Sequence, residues 1–595
     1  MNLRRSLEGR LLKARADAGA APGTPALVAP STSPKFGDYQ ANGIMAAARQ
    51  LKTAPLALAQ KVVSAAELGD VAEKIEVAGP GFINITLKRE FLERRLAEAV
   101  ADERLGVAKP QAAQAVVVDY SGPNLAKEMH VGHLRSTIIG DALVRTLEFM
   151  GHNVIRQNHV GDWGTQFGML TQYMADMGRS SASLSELESF YRQAKERFDR
   201  DADFAERSRK AVALLQAGDQ ELMVAWAVYT RLSLAHCQEL YDRLGVLLKE
   251  ADARGESAYN ADLPEVVKDL DKAGLLAESR GAKCVFLDEF KDKSGEILPV
   301  IVRKSDGAYL YATTDLAALR YRARKLKADR ILYVHDARQT LHFKQVFAVA
   351  RKAGFVPESV SLEHIGFGTM MGADGRPFKT REGGTVKLMA LLDEGEKRAF
   401  DLVSEKNPDL PEPRRREIAR VVGIGAVKYS DLSQNRTSDY VFSWDKMLSL
   451  DGNTAPYMQY AYARICSIFR KGGEPASRDR QGAGMSSVSR DGSTRLTAGR
   501  QGAGVLIKDP PERALAVKLL QFPEIVQVVA DECLPNLLCG YLFELAGAFM
   551  GFYETCPVLQ SDEPLKSSRL TICELTARTI RKGLDLLGIE TLEQM

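Results

Sequence analysis

Residues 115–141 read AVVVDYSGPNLAKEMHVGHLRSTIIGD, and their reading decides the fold. Ala115–Tyr120 is a short unbroken apolar run, the pattern of a strand buried on both faces of a parallel sheet. A loop with Gly122 and Pro123 follows. A helix is expected to open near His130 and to run to about Met150, where Gly151 stops it. Asn153–Gln157 reads as the next strand. Strand, loop, helix and strand in this order open a Rossmann-like, doubly wound α/β domain. The start of such a helix offers free N–H groups and the positive end of its dipole, which suits a phosphate. His130 and His133 stand three apart on the first turn, with Gly132 between them, where a missing side chain lets a flat ring approach the backbone. The parts make a nucleotide site: Gly132 under an adenine, the imidazoles beside the phosphates and Lys127 supplying a cation. Metal binding is the rival reading of the histidines, but no nearby Cys or carboxylate completes a ligand set by pattern. Packing alone is the other rival. Four of the eight histidines (130, 133, 152 and 159) crowd into thirty residues beside a Gly and a Lys, which favours chemistry.

Upstream, residues 1–108 read as a small α+β unit. It opens with amphipathic helical spacing at Leu3, Leu11 and Leu12 and has a turn-rich stretch around Pro30–Asp38. A second helical run follows at Gly43–Leu51, then a hairpin in KIEVAGPGFINITL and a helix at Glu90–Ala101. Downstream, 109–400 carries the α/β pattern, interrupted by an insertion at about 175–300 that is mostly helical over 175–255. The α/β pattern resumes at Ile301–Val302, Ile331–Val334 and near Ser361–Ile365. From about 400 to 595 the chain is nearly all helix, expected as an all-α bundle. Residues 472–506 are rich in Gly, Ser and Arg and repeat RQGAG, so they read as a flexible loop in the bundle, with tolerated insertion favoured over RNA contact. The expectation is therefore a multidomain α/β protein.

Whole-chain composition sets limits. At 595 residues, several domains are expected. A net charge of +3, from 80 basic and 77 acidic residues, argues against coating nucleic acid by bulk charge but leaves room for local basic surfaces. Seven cysteines in no paired spacing signal neither a disulfide framework nor a zinc site and fit a reducing cytoplasm. The first twenty residues read as an amphipathic helix and not as a signal peptide, and no apolar stretch is long enough to span a bilayer.

HVGH at 130–133 resembles the HIGH signature of class I aminoacyl-tRNA synthetases. The extended form PNLAKEMHVGHLRST (123–137) with NHVGDWGTQFG (158–168) is similar to the arginyl-tRNA synthetase family. Further likenesses are FGDYQAN (36–42), YLYATTDLAA (309–318), DARQTLHFKQ (336–345), GRPFKTREGGTVKL (375–388) and DGNTAPYMQYAYARICSI (451–468). The likeness covers essentially the whole chain except 472–506. The second class signature, usually KMSKS, is replaced by PFKTREGG at 377–384, with Thr380 where the second lysine would stand. In this family a lysine upstream of the HIGH motif is thought to compensate, and here that would be Lys127.

The resemblance implies activation of L-arginine with ATP and transfer of arginine to the 3′ end of tRNA(Arg). It implies catalytic roles for Lys127, His130 and His133. ATP contacts would fall on Pro123, Asn124, His130, Gly132, His133, Lys379 and Arg381. Arginine contacts would fall on Asp119, Asn124, His133, Tyr311, Asp315 and Gln339. Carboxylates and a hydroxyl suit a guanidinium, which is planar, permanently charged and donates five hydrogen bonds, and Tyr311 and Asp315 share a helix face. In the N-terminal unit, Phe36, Tyr39, Gln40 and Asn42 would meet the tRNA elbow. In the helical domain Tyr457, Gln459, Tyr460, Tyr462 and Arg464 interleave aromatic and polar groups suited to the anticodon. ATP is expected as substrate with Mg²⁺ on its phosphates, with no tightly bound cofactor, no zinc, no membrane partner and a monomeric state. A class I synthetase for another amino acid and a catalytically inactive tRNA-binding protein are the alternatives. Zinc-ligand spacing would mark a cysteinyl enzyme, and basic residues at 119 and 315 a glutamyl one.

Overall fold

The computed structural model describes residues 2–19, 25–178, 184–216, 218–378, 386–472 and 504–595. Two compact units emerge: Pro110–Leu448 with Leu586–Ile589, and Met1–Lys109 with Ser449–Asp585 and Glu590–Met595.

The unit built on Pro110–Leu448 holds a five-stranded sheet in the order Ser361–His364, Arg330–Tyr333, Ala115–Asp119, Asn153–Val160, Ala253–Gly255. Every neighbouring pair is parallel. Val116, Val117 and Val118 are fully buried, as a strand covered on both faces requires. Ala115–Asp119 comes first in sequence yet lies in the middle. The chain winds outward through Asn153–Val160 and Ala253–Gly255, then returns on the other side through Arg330–Tyr333. That reversal puts a topological switch point at the carboxyl ends of Ala115–Asp119 and Arg330–Tyr333, the place where open α/β sheets bind ligands.

The signature helix runs Val131–Met150. Its start is fixed by a reciprocal cap. The Gly132 N–H donates to His130 Nδ1, and the His130 N–H donates to His133 Nδ1. Gly151 ends it in the left-handed region at φ 103°. The helix lies hard against the sheet, since a Cβ built on Gly140 would stand 2.3 Å from Tyr120 Cβ. It is also tied to helix Glu412–Leu432 by the buried ion pair Arg135–Asp431 at 3.1 Å. Breaking one side of such a pair typically costs ~3–5 kcal/mol.

Helices Thr165–Asp176, Leu184–Arg200, Ala202–Gln216 and Gln220–Leu244 form the insertion. Val300–Arg303 does not continue the parallel sheet; it forms an antiparallel three-stranded sheet with Ala282–Val285 and Leu276–Ser279. Its burial alternates, so it buries only one face.

The other unit pairs a four-stranded antiparallel sheet (Val28–Pro30, Tyr39–Ala41, Phe82–Leu87, Ala72–Ala78) with helices that include Leu3–Asp17 and Arg89–Ala101. It also contains helices Ala455–Lys471, Pro510–Leu520, Phe522–Glu532 and Pro535–Thr555. Of the stretch read as a loop at 472–506, residues 473–503 lie outside the described residues. All seven cysteines are buried thiols. Among the described residues, no helix is long and apolar enough to cross a membrane.

Candidate active site

The loop between Ala115–Asp119 and the signature helix is held in an unusual backbone. Ser121 and Ala126, neither of them Gly, sit at positive φ, 74° and 67°. Each such residue stores ~1–3 kcal/mol of strain, so its surroundings must fix it. Ser121 N–H donates to Ser136 Oγ at 2.9 Å, and its own Oγ lies 2.7 Å from the Tyr241 hydroxyl. Ala126 N–H donates to Ser233 Oγ at 3.0 Å. Gly122 N–H donates to Asn158 Oδ1, and Leu125 N–H to the Gly161 carbonyl, both at 3.0 Å. Ser233 and Tyr241 belong to helix Gln220–Leu244, so the insertion buttresses the loop. Within it Pro123 is buried while Asn124 and Lys127 are exposed. Lys127 Nζ rests 4.7 Å from the centre of the Tyr191 ring.

His130 and His133 stand with ring centres 4.1 Å apart. Burial, reinforced by the charge of Lys127, lowers the His130 imidazole, and burial beside His130 lowers His133 to about 4. Both rings are therefore neutral near pH 7. Each uses Nδ1 as an acceptor in the cap, so each carries its proton on Nε2. The pair thus offers two N–H donors rather than two cations. The flat ring lying over Gly132 is the imidazole of His130, which a Cβ there would meet at 2.7 Å. On its other side the signature meets residues that follow the second motif. Val131 N–H donates to the Val386 carbonyl and Leu388 N–H to that of Met129, both at 3.0 Å. Lys379, Thr380 and Arg381 lie outside the described residues.

Acidic groups gather at the carboxyl ends of the strands. Asp119 is buried and already paired: Arg322 Nη2 donates to it at 2.8 Å, and His335 Nε2 is 3.7 Å away. Burial opposes its ionisation, but the Arg322 guanidinium outweighs that and holds the carboxyl well below the usual range. Asp315 sits one turn inside helix Tyr311–Arg324, its Oδ2 2.6 Å from His342 Nε2. Tyr311 opens that helix, 62% exposed as a residue, with its ring edge-on to His342 at 4.8 Å. His159 feels the charge of both Asp119 and Asp315. Gln339 is exposed, at the end of the turn Ala337–Gln339.

Glu256 is the group that sequence reading missed. Burial, then the charges of Asp315 and Asp162, push its carboxyl up to about 7. Asp162 sets the turn that carries it, accepting the Ser257 N–H at 2.9 Å and the Ser257 hydroxyl at 2.6 Å. The turn needs Gly255, where a Cβ would stand 2.0 Å from Asp162 Oδ2. The available signal was a lone Glu in Gly-Glu-Ser just beyond a short strand, at the edge where parallel sheets bind ligands.

The RNA candidates occupy the other unit and divide by exposure. Phe36 and Tyr460 are exposed, at 43% and 42%. Tyr457 is half-buried against Phe543, ring centres 5.9 Å apart. Arg464 donates to the Tyr460 hydroxyl at 3.3 Å and lies 5.2 Å over the Tyr553 ring. Gln40 donates to Asn84 Oδ1 at 2.7 Å, and Asn42 is half-buried. Tyr39, Gln459 and Tyr462 are buried. The Tyr39 hydroxyl donates to Glu524 at 2.7 Å, and Gln459 Nε2 donates to the Glu590 carbonyl at 2.8 Å. These three serve packing in this structure, so a base could not stack on Tyr39 or Tyr462 without rearrangement. Phe543 and Tyr553 extend the aromatic face and were not read from sequence. Among the described residues, Asp509, Glu512 and Cys556 cluster as a metal site would, but Arg569 fills the cluster with ion pairs of 2.7 and 2.6 Å.

A family model described as tRNA synthetases class I (R), catalytic domain, matches residues 95–444, so the chain carries a class I aminoacyl-tRNA synthetase catalytic domain. Models of the arginyl tRNA synthetase N-terminal domain and the DALR anticodon binding domain match residues 2–87 and 458–595. The chain is 56% identical to an arginine–tRNA ligase of Hahella chejuensis and 54% to one of Laribacter hongkongensis, with 100% of each chain covered. The chain belongs to the arginyl-tRNA synthetase family. Solved structures agree. The Plasmodium falciparum arginyl-tRNA synthetase has a TM-score of 0.83 at 29% identity, over 100% of this chain and 99% of that one. The Thermus thermophilus enzyme has a TM-score of 0.81 at 27% identity, over 100% of both.

Proposed function

We propose that this chain joins arginine to tRNA(Arg) in two steps at the switch point. In the first, a carboxylate oxygen of arginine attacks the α-phosphorus of ATP, the bond from that phosphorus to the bridging oxygen breaks, and arginyl-adenylate and pyrophosphate form. In the second, the terminal ribose hydroxyl of the tRNA attacks the arginyl carbonyl, and AMP leaves. The observation that carries the reading is the pairing of two opposed groups at one sheet edge. Neutral His130 and His133 offer Nε2–H donors beside a helix N-terminus, while Glu256 and Asp315 supply carboxylates for a guanidinium.

Asn124 and His133 hold the backbone of the amino acid, and Tyr311 and Gln339 complete its pocket. Asp119, neutralised by Arg322, shapes the floor. Pro123 and Gly132 line the nucleotide. Lys127, with Lys379 and Arg381, offsets charge growing on pyrophosphate. Mg²⁺ arrives on the ATP phosphates as part of the substrate. Phe36, Gln40 and Asn42 meet the tRNA elbow. Tyr457, Tyr460 and Arg464, extended by Phe543 and Tyr553, meet the anticodon, with residues 458–595 as the anticodon-binding domain. The protein works as a cytoplasmic monomer.

The pocket is tested by Glu256→Gln and Asp315→Asn. Losing a charged partner of a buried guanidinium should raise the arginine KM at least ~10-fold and leave the ATP KM near its original value. An unchanged arginine KM in both variants would overturn the pocket.

A further inference from the structure

Two walls of the proposed guanidinium pocket come from different helices. Tyr311 and Asp315 lie on Tyr311–Arg324, whereas Gln339 ends the turn that leads into Thr340–Lys352. One side chain joins them. His342, on the first turn of the second helix, places Nε2 2.6 Å from Asp315 Oδ2 and its ring edge-on to Tyr311 at 4.8 Å. It is itself packed edge-on to Phe343 at 5.2 Å, and Phe343 is a buried core residue in ring contact with Tyr333 at 4.9 Å. The imidazole is therefore anchored to the sheet side of the unit on one face and to two pocket residues on the other.

The consequence for recognition follows from geometry. A guanidinium binds best to a carboxylate whose two oxygens present their lone pairs in a fixed plane, because its N–H donors form a rigid fork. A carboxylate on a two-bond side chain samples several planes unless something holds it. With Nε2 engaged on Oδ2, the Asp315 plane is set, and Oδ1 with the second lone pair of Oδ2 remains for a ligand. The edge contact with Tyr311 fixes that ring at the same time. From this we infer that His342 is a positioning residue for amino-acid selection, acting through Asp315 and Tyr311 without touching the reacting atoms. This rests on the pocket proposed above.

Three variants separate the roles of ring and donor. His342→Phe keeps the ring and removes the hydrogen bond. His342→Gln keeps an N–H donor at similar reach. His342→Ala removes both. Steady-state ATP–pyrophosphate exchange in the presence of tRNA reads arginine KM, ATP KM and kcat for each, with thermal melting as a check on folding. His342→Phe and His342→Ala should raise the arginine KM by ~10-fold or more, as loss of a supporting hydrogen-bond partner does at ligand sites. The ATP KM and kcat should stay within about twofold, and His342→Gln should recover most of the loss. A His342→Phe enzyme with unchanged arginine KM overturns the positioning role. So does an equal fall in kcat for all three variants, which marks a structural role. Asp315→Asn measured alongside tells the two failures apart. If Asp315→Asn or Glu256→Gln raises the arginine KM and His342→Phe does not, only the positioning role falls; if neither Asp315→Asn nor Glu256→Gln has an effect, the pocket itself falls.

Discussion

Glu256 shows how one carboxyl can couple binding to pH. Its folded value of about 7 lies above the 4.5 of an ordinary glutamate, so the folded chain holds this proton more tightly than the unfolded chain does. The linked stability is fully present below about pH 4.5 and is lost as pH rises through about 7. A guanidinium favours the ionised form, so its binding expels the proton. Arginine affinity should therefore rise as pH climbs through about 7. Calorimetry in buffers of different ionisation heat should count released protons, and Glu256→Gln should abolish most of that release. Proton uptake, or pH-independent affinity in the unmutated chain, would contradict this. Lys127 gives a second residue-scale test. Lys127→Ala should slow adenylate formation ~100-fold or more with little change in tRNA affinity, whereas near-normal single-turnover activation would remove it as the compensating cation. Asp119, Tyr311 and Asp315 could be proposed from sequence because they stand in motifs at strand and helix ends. Glu256 was not, because it sits at the edge of a stretch dominated by helical periodicity. Tyr39, Gln459 and Tyr462 were misleading for a different reason: side-chain type shows what could meet RNA, but helix phase and sheet face decide what points outward.

At the scale of the element, the signature helix depends on close approach to its strand. Gly140 to Ala in an open helix position would ordinarily stabilise by ~1 kcal/mol. Here the added Cβ would meet Tyr120 at 2.3 Å, so the sign reverses. Gly140→Ala should destabilise the unit by ~1–3 kcal/mol and lower its melting midpoint; a higher midpoint would show that helix and strand are not in such tight contact. The bounds of this helix were readable because a capping histidine and a left-handed Gly mark its ends. The three-residue strands Val28–Pro30 and Ala253–Gly255 were not, since three residues are too few to show a period. Helix Pro55–Ala65 also escaped, although Pro at its first position is a regular start signal. Val300–Arg303 was found as a strand but given the wrong sheet, because a short apolar run does not declare its partners.

For the whole molecule, the order of motifs over most of the chain carried more than any single one. Four letters of HVGH fit many proteins. The same letters followed in order by DWGTQFG, YATTD, DARQ and the helical motif at 451–468 fit one family, and the three matched models and full-length relatives agree with that reading. What the order of motifs leaves to physics is the choice of amino acid, which the proposed pocket assigns to a few carboxylates at one sheet edge. ATP–pyrophosphate exchange, run with each amino acid in turn and with or without tRNA(Arg), tests that choice most directly. Exchange is expected with arginine alone, in the presence of its tRNA. Exchange driven by another amino acid, or tight tRNA binding with no exchange for any, would contradict it.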